Sequence, residues 1–234
     1  MRGTMSHRQS NLYWLPLICT LIPGIATHLS WLLATAFQII DPCCPYWSDC
    51  VSISRTARQL PVSLVFKGLM IPHALLTVWV WFLVWVWLTR LGIAGKSVPH
   101  IFMLGGVAGS AMVVYLFALG VHGDDFRLAR RIGVIISFSF TYLAQLLLYR
   151  KLHRCRDKLP LNPLIISGQK LICIALLTIG ISSLILEVVY TDYKRWQDAF
   201  EWWFALFLYG YFLTLAAAWK QTGFSMEFHL KPPE

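Results

Sequence analysis

Residues 64–89 read LVFKGLMIPHALLTVWVWFLVWVWLT, an apolar run in which Lys67 carries the one full charge. A helix needs about 20 such residues to cross the ~30 Å hydrocarbon core of a bilayer. In that setting every backbone N–H must be satisfied within the protein, so the run reads as a helical membrane span. Pro72 would break it in water, whereas a membrane helix tolerates proline as a kink. Trp79, Trp81, Trp85 and Trp87 crowd the second half of the run. Trp81, Trp85 and Trp87 do not share one helical face, so lipid anchoring together with packing is expected, not a stacking platform.

Working outward, five more segments meet the same test, at about 12–38, 99–121, 130–149, 168–190 and 200–219. Of the 234 residues, 57% are hydrophobic and 13% charged, with mean hydropathy +0.61, whereas a soluble domain carries about a quarter charged residues. No polar stretch is long enough to fold separately. The expected fold class is all-α, a single six-transmembrane-helix bundle over residues 1–234. Arg2 and Arg8 before the first segment and Ala34-Thr35-Ala36 within it resemble a cleavable signal. Its apolar run exceeds the usual ~7–15 residues, which favours a retained helix.

The net charge of +9 does not point to nucleic acid, because the basic residues sit between or at the ends of apolar runs. With an inside N-terminus, twelve Lys and Arg residues fall on the inner side, including Arg2, Lys96, Lys231 and the Arg150–Lys158 cluster, and eight on the outer side. The positive-inside rule therefore places both termini in the cytoplasm. Three acidic residues, among them Glu234, lie inside and eight outside, so the outer face is neutral in sum and densely mixed in sign. The chain is expected in the plasma membrane or an endomembrane.

The first outer connection reads DPCCPYWSDCVSISRTARQLP over 41–61. A disulfide is chemically allowed there, joining Cys50 to Cys43 or Cys44; Cys43 and Cys44 are too close in sequence to bridge each other readily. Ser52, Ser54, Arg55 and Arg58 follow. Hydroxyls beside guanidinium groups suit a phosphate, and the same residues suit a serine-capped helix start. The next outer connection, HGDDFRLARRIG over 122–133, carries Asp124, Asp125, Arg127, Arg130 and Arg131. Asp125 is expected to cap the fourth span, and internal ion pairing is the simplest account of so dense a mixture.

Glu187 and Glu201 border the bilayer, where a carboxylate is costly unless it faces the interior or finds a partner. His73 is the nearest uncharged candidate partner, and the set would serve either acid–base chemistry or a structural network. His28 and His73 provide at most one pair of haem ligands, and the cysteines lack zinc spacing, so neither cofactor nor metal is expected. Gly105 and Gly109 form a GxxxG that either seats a neighbouring helix or supports a homodimer. The inner loop 150–169 attracts anionic lipid at ~1 kcal/mol per basic residue, sets topology, or recruits a cytoplasmic protein partner.

Trp47-Ser48-Asp49 through Ser54, then Pro61 and Phe66, Arg131-Ile132-Gly133 with Phe138, Phe200-Glu201-Trp202 and Tyr211-Phe212-Leu213-Thr214 occur in an order that resembles a membrane-protein family. This is the DRAM/Frag-type family: damage-regulated autophagy modulators, Frag-type and Sfk-type proteins and post-GPI-attachment lipid-remodelling factors. The resemblance spans nearly the whole chain. Arg130 stands where the family's turn carries a histidine, so no acid–base role is carried over to that turn. The resemblance implies membrane-lipid homeostasis: GPI-anchor remodelling in one branch, and phosphoinositide signalling, lipid asymmetry or autophagy in others.

The leading expectation is recognition or remodelling of an anionic lipid headgroup at the outer face, through Ser54, Arg55, Arg58, Asp125, Arg130 and Arg131. A non-enzymatic scaffold recruiting a cytoplasmic partner is the first alternative. A lipid hydrolase or acyltransferase using His73 with Glu187 or Glu201 is the second.

Overall fold

The computed structural model describes residues 8–93, 95 and 97–228; Arg2, Lys96, Lys231 and Glu234, which entered the charge count, lie outside the described residues. In chain order the helices are α1 (Trp14–Ala36), the short α2 (Ile53–Thr56), α3 (Val62–Arg90), α4 (Ser97–Ala118), α5 (Asp124–Arg154), α6 (Pro163–Val189) and α7 (Lys194–Gln221). Among the described residues, all but α2 are long and apolar enough to cross a membrane, which makes the chain an integral multipass membrane protein.

Several helices outrun the apolar segments read from the sequence. Hydropathy marks the part inside hydrocarbon, while the helix continues on polar residues through the interfacial layer. Thus α5 begins at Asp124 and α7 at Lys194, each six residues ahead of its apolar segment. The charged 124–131 stretch is helix, not loop. Asp125 does not cap α5: Gly123, at φ +121°, precedes the helix without a side-chain cap. Asp124 and Asp125 instead occupy the first turn, where the helix dipole favours negative charge. At the start of α6, Asn162 accepts the Leu164 N–H at 2.9 Å and Pro163 takes the first helical position.

The six spans form a ring in the order α1, α3, α4, α5, α6, α7, closing back onto α1. Without a hydrophobic drive between helices in lipid, close backbone approach and dense packing hold such a ring together. Gly105 and Gly109 serve this purpose within the chain. A Cβ on Gly105 would overlap the Trp81 indole, and one on Gly109 would lie 3.1 Å from the Ala74 carbonyl oxygen of α3. Gly133 seats α5 on α4 in the same way, 3.0 Å from the Ala111 carbonyl oxygen. Trp81 and Trp87 are fully buried while Trp79 and Trp85 remain exposed, the mixture of packing and anchoring expected of that run.

The ring is weakest between α5 and α6, which run close together over a shorter stretch than any other adjacent pair of spans. The most apolar span, α6, is also the least buried.

A two-stranded antiparallel pairing of β1 (Arg8–Asn11) with β2 (Ser225–Phe228) joins the segment before α1 to the segment after α7. The sequence reading did not include it, because four-residue strands carry too little alternation to be recognised. It puts the entry to α1 and the exit from α7 on one face of the bundle, termed the terminal face below. The opposite face carries the 41–61 connection and is termed the cap face below.

Candidate functional site

Where α5 and α6 part, a cavity of about 710 Å³ opens between α5, α6 and α7. On α5 its wall is Arg127, Arg130, Arg131, Val134, Ile135, Phe138 and Ser139, spaced by threes and fours and therefore a single helical stripe. On α6 the wall is Ile179, Gly180, Ser183, Leu184 and Glu187; Tyr193 just before α7 and Gln197, Phe200, Glu201 and Phe204 on it complete the lining. Each stripe is charged or polar at the cap face and apolar toward the middle of the bundle. From Arg127 to Ser139 the stripe descends ~18 Å at 1.5 Å per residue, more than half the depth of a ~30 Å hydrocarbon core.

Ile135 and Leu184, 54% and 64% exposed, border the cavity on α5 and α6, so it opens sideways toward lipid. Phe138 and Phe204 stack at 5.8 Å with planes 9° apart and close its inner wall. Tyr193 lies against Phe200, and its hydroxyl is hydrogen-bonded to Ser183, tying α6 to the start of α7.

The roof comes from the cap connection. Cys43 is bonded to Cys50, which closes the alternative with Cys44; Cys44 is free and exposed. The Trp202 indole N–H donates to the Val51 carbonyl at 2.9 Å, that of Trp203 to the Tyr46 carbonyl at 3.2 Å, and Tyr46 O–H is bonded to His28 Nε2 at 2.8 Å. Burial raises the Tyr46 phenol above its ordinary pKa, which keeps it a neutral partner for His28. Ser52 caps α2 by accepting the Arg55 N–H. The start of α2 packs against α7, which brings the Asp198 and Glu201 carboxyl groups close to the backbone of Ser52 and of Ile53 and Ser54. Ser54 and Arg58 are thereby held over the cavity. Gly120, at φ +79°, lets the chain pass under Arg58: a Cβ there would come within 2.8 Å of the Arg58 carbonyl oxygen.

The charges divide into those with partners and those without. Arg130 donates to the Ala118 and Val121 carbonyls at 2.9 and 2.6 Å, satisfying the end of α4. Arg127 pairs with Asp124 at 2.9 Å. Among the described residues, Arg58 and Arg131 pair with no carboxylate, and Glu187 and Glu201 pair with no Lys or Arg. The buried Tyr115 lines the same cavity as Glu201, Arg58 and Arg130.

Of the residues singled out from the sequence, Ser54, Arg58, Arg130, Arg131, Glu187 and Glu201 meet at this cavity. Arg55 and Asp125 are exposed and do not line it. His73 is buried on α3, edge-on to Tyr209 at 5.4 Å and beside the Thr77 hydroxyl, in a second and far smaller cavity. The structure does not bring it together with Glu187 or Glu201. Tyr115, Gln197 and the aromatic wall were not among the sequence candidates, and Arg127 was named only as part of the charged 122–133 connection. The signal for the α5 wall was available: continuing the three-and-four spacing from Arg127 reaches Ser139.

Residues 11–222 match the family described as the Frag1/DRAM/Sfk1/Cwh43P N-terminal domain, and the chain belongs to that family. No curated protein and no solved structure matches the chain.

Proposed function

We propose that this member of the Frag1/DRAM/Sfk1/Cwh43P family binds a phosphate-bearing membrane lipid in the α5–α6–α7 cleft, on the extracytoplasmic side. The carrying observation is the gradient repeated on three helices, charged at the cap face and apolar toward the bundle centre, beside a sideways opening. A lipid has the same gradient. Its phosphate would meet Arg58 and Arg131, whose planar donors match phosphate oxygens and are not taken up by carboxylates. An acyl chain would lie along Ile135, Phe138, Ile179 and Phe204. The positive-inside rule and a disulfide on the cap face, a bond suited to an oxidising compartment, support this orientation.

The test is mass spectrometry of phospholipid retained by the detergent-purified chain and by the R58A/R131A double variant. Loss of two charge-assisted contacts should lower retained phospholipid by about tenfold or more. Equal retention in a variant with an unchanged thermal transition would overturn the reading.

A further inference from the structure

Of the four arginines at this cleft, Arg58 and Arg131 pair with no carboxylate among the described residues, and Glu187 and Glu201 pair with no Lys or Arg. A clamp for phosphate alone has no use for Glu187 and Glu201, because each carboxylate repels the anion the arginines attract. Carboxylates at the bilayer border are costly when they lack partners. Glu201 has a local role, facing the backbone of Ile53 and Ser54 at the start of α2. Glu187 has none: it is exposed at the cap-face end of α6, lines the cleft and meets no Lys or Arg among the described residues.

Resting on the lipid reading above, we infer that the headgroup bound here carries a primary amine as well as a phosphate. The ammonium lies at Glu187, with Glu201 behind it, and the phosphate at Arg58 and Arg131. An ammonium with N–H groups donates directly to a carboxylate. A trimethylammonium group has no N–H and calls for a cage of aromatic faces. Tyr193 and Phe200 do not form one, since they stack on each other at 6.3 Å with planes 30° apart. The chemistry is that of a phosphoethanolamine unit, which occurs on membrane lipids and on soluble esters.

The purified full-length chain in detergent is offered an equimolar mixture of phosphatidylethanolamine, phosphatidylcholine and phosphatidylglycerol, and retained lipid is measured by mass spectrometry. Phosphatidylethanolamine should exceed each of the others by about tenfold, the worth of one charge-assisted hydrogen bond. In Glu187→Gln the ratio should fall at least about threefold at an unchanged thermal transition. Soluble glycerophosphoethanolamine added in excess should not displace the lipid; displacement would support the amine and phosphate chemistry but assign it to a soluble ester. Equal retention of the three lipids, or a Glu187→Gln ratio equal to wild type, overturns the inference and leaves the phosphate-lipid reading standing. Retention of none by the wild-type chain overturns both.

Discussion

Arg195 grips Asp49 through two parallel hydrogen bonds, Nε to Oδ1 at 2.8 Å and Nη2 to Oδ2 at 2.6 Å, while the Asp49 amide donates to the Arg195 carbonyl at 2.8 Å. Three bonds thus tie the middle of the disulfide-closed connection to the first turn of α7. Asp49 sits at φ +61°, a left-handed conformation that aspartate accepts more readily than most residues. Trp47 and Trp196 pack edge to face at 5.3 Å beside this clasp. Glu201 lies two turns further along α7, so the roof of the cleft and the clasp share one support.

The Arg195 hydrogen bond holds the Asp49 carboxyl below its ordinary value of 3.8. A carboxyl that is more acidic when folded binds fewer protons in the folded state. Its stabilisation is therefore complete above the ordinary value and is lost as pH falls through the lower, folded one. Both side chains are more than half exposed, so salt also weakens the pair. The difference in Tm between wild type and Asp49→Asn should be constant from about pH 7 to pH 5 and shrink below about pH 4. A difference that stays constant down to about pH 2 would show that the carboxylate charge is not what the clasp uses.

The cap face and the terminal face each display an accessible thiol, exposed Cys44 and partly exposed Cys155. If the cap face is extracytoplasmic, a membrane-impermeant maleimide applied to intact cells producing the chain at the plasma membrane labels Cys44 and spares Cys155. Permeabilisation then admits label to Cys155, as Cys44→Ser and Cys155→Ser variants resolve. Labelling of Cys155 in sealed cells would reverse the orientation.

Within α4, neighbouring glycines differ in what a methyl group would meet. A Cβ on Gly105 would overlap the fully buried Trp81 indole, whereas one on Gly106 would find its nearest neighbour, Phe102, at 3.8 Å. Overpacking a close-packed contact costs ~1–3 kcal/mol. Gly105→Ala should lower Tm by several degrees in detergent, and Gly106→Ala should leave it level or raised through helix propensity. Equal shifts would mean that α3 and α4 do not approach as described.

The six spans were legible because each is a long apolar run, and a bilayer accepts few other solutions. The site was legible in part. Arg58, Arg130, Arg131, Glu187 and Glu201 stand out as charges beside apolar segments, but hydropathy starts the fourth span only at about 130, so Arg127 reads as part of a charged connection and not as the head of the stripe that ends at Ser139. His73 misled because a histidine within a span invites a functional partner. Its actual neighbours, Thr77 one turn along α3 and Tyr209 on α7, depend on helix rotation, which sequence periodicity does not report when a helix is apolar all round. The weak α5–α6 seam was equally hidden. It arises from how little of α6 is buried, and a uniformly apolar span gives no sign of which side meets protein and which meets lipid.

If an acyl chain runs down the lower cleft, Gly180 is where it can be stopped. A Cβ there would have its nearest neighbour, Phe204, 4.0 Å away, so the wall opposite leaves room for a side chain. Phenylalanine at that position would project beside Phe204, in the apolar part of the cleft and below the arginines. Gly180→Phe should therefore discriminate by chain length: retention of dioleoyl phospholipid falls by about tenfold while a short-chain diacyl analogue with the same headgroup is retained as by wild type. Loss of both lipids at an unchanged Tm would move the binding site's key contacts from the chain to the headgroup roof. Loss of neither would take the acyl chain out of this cleft.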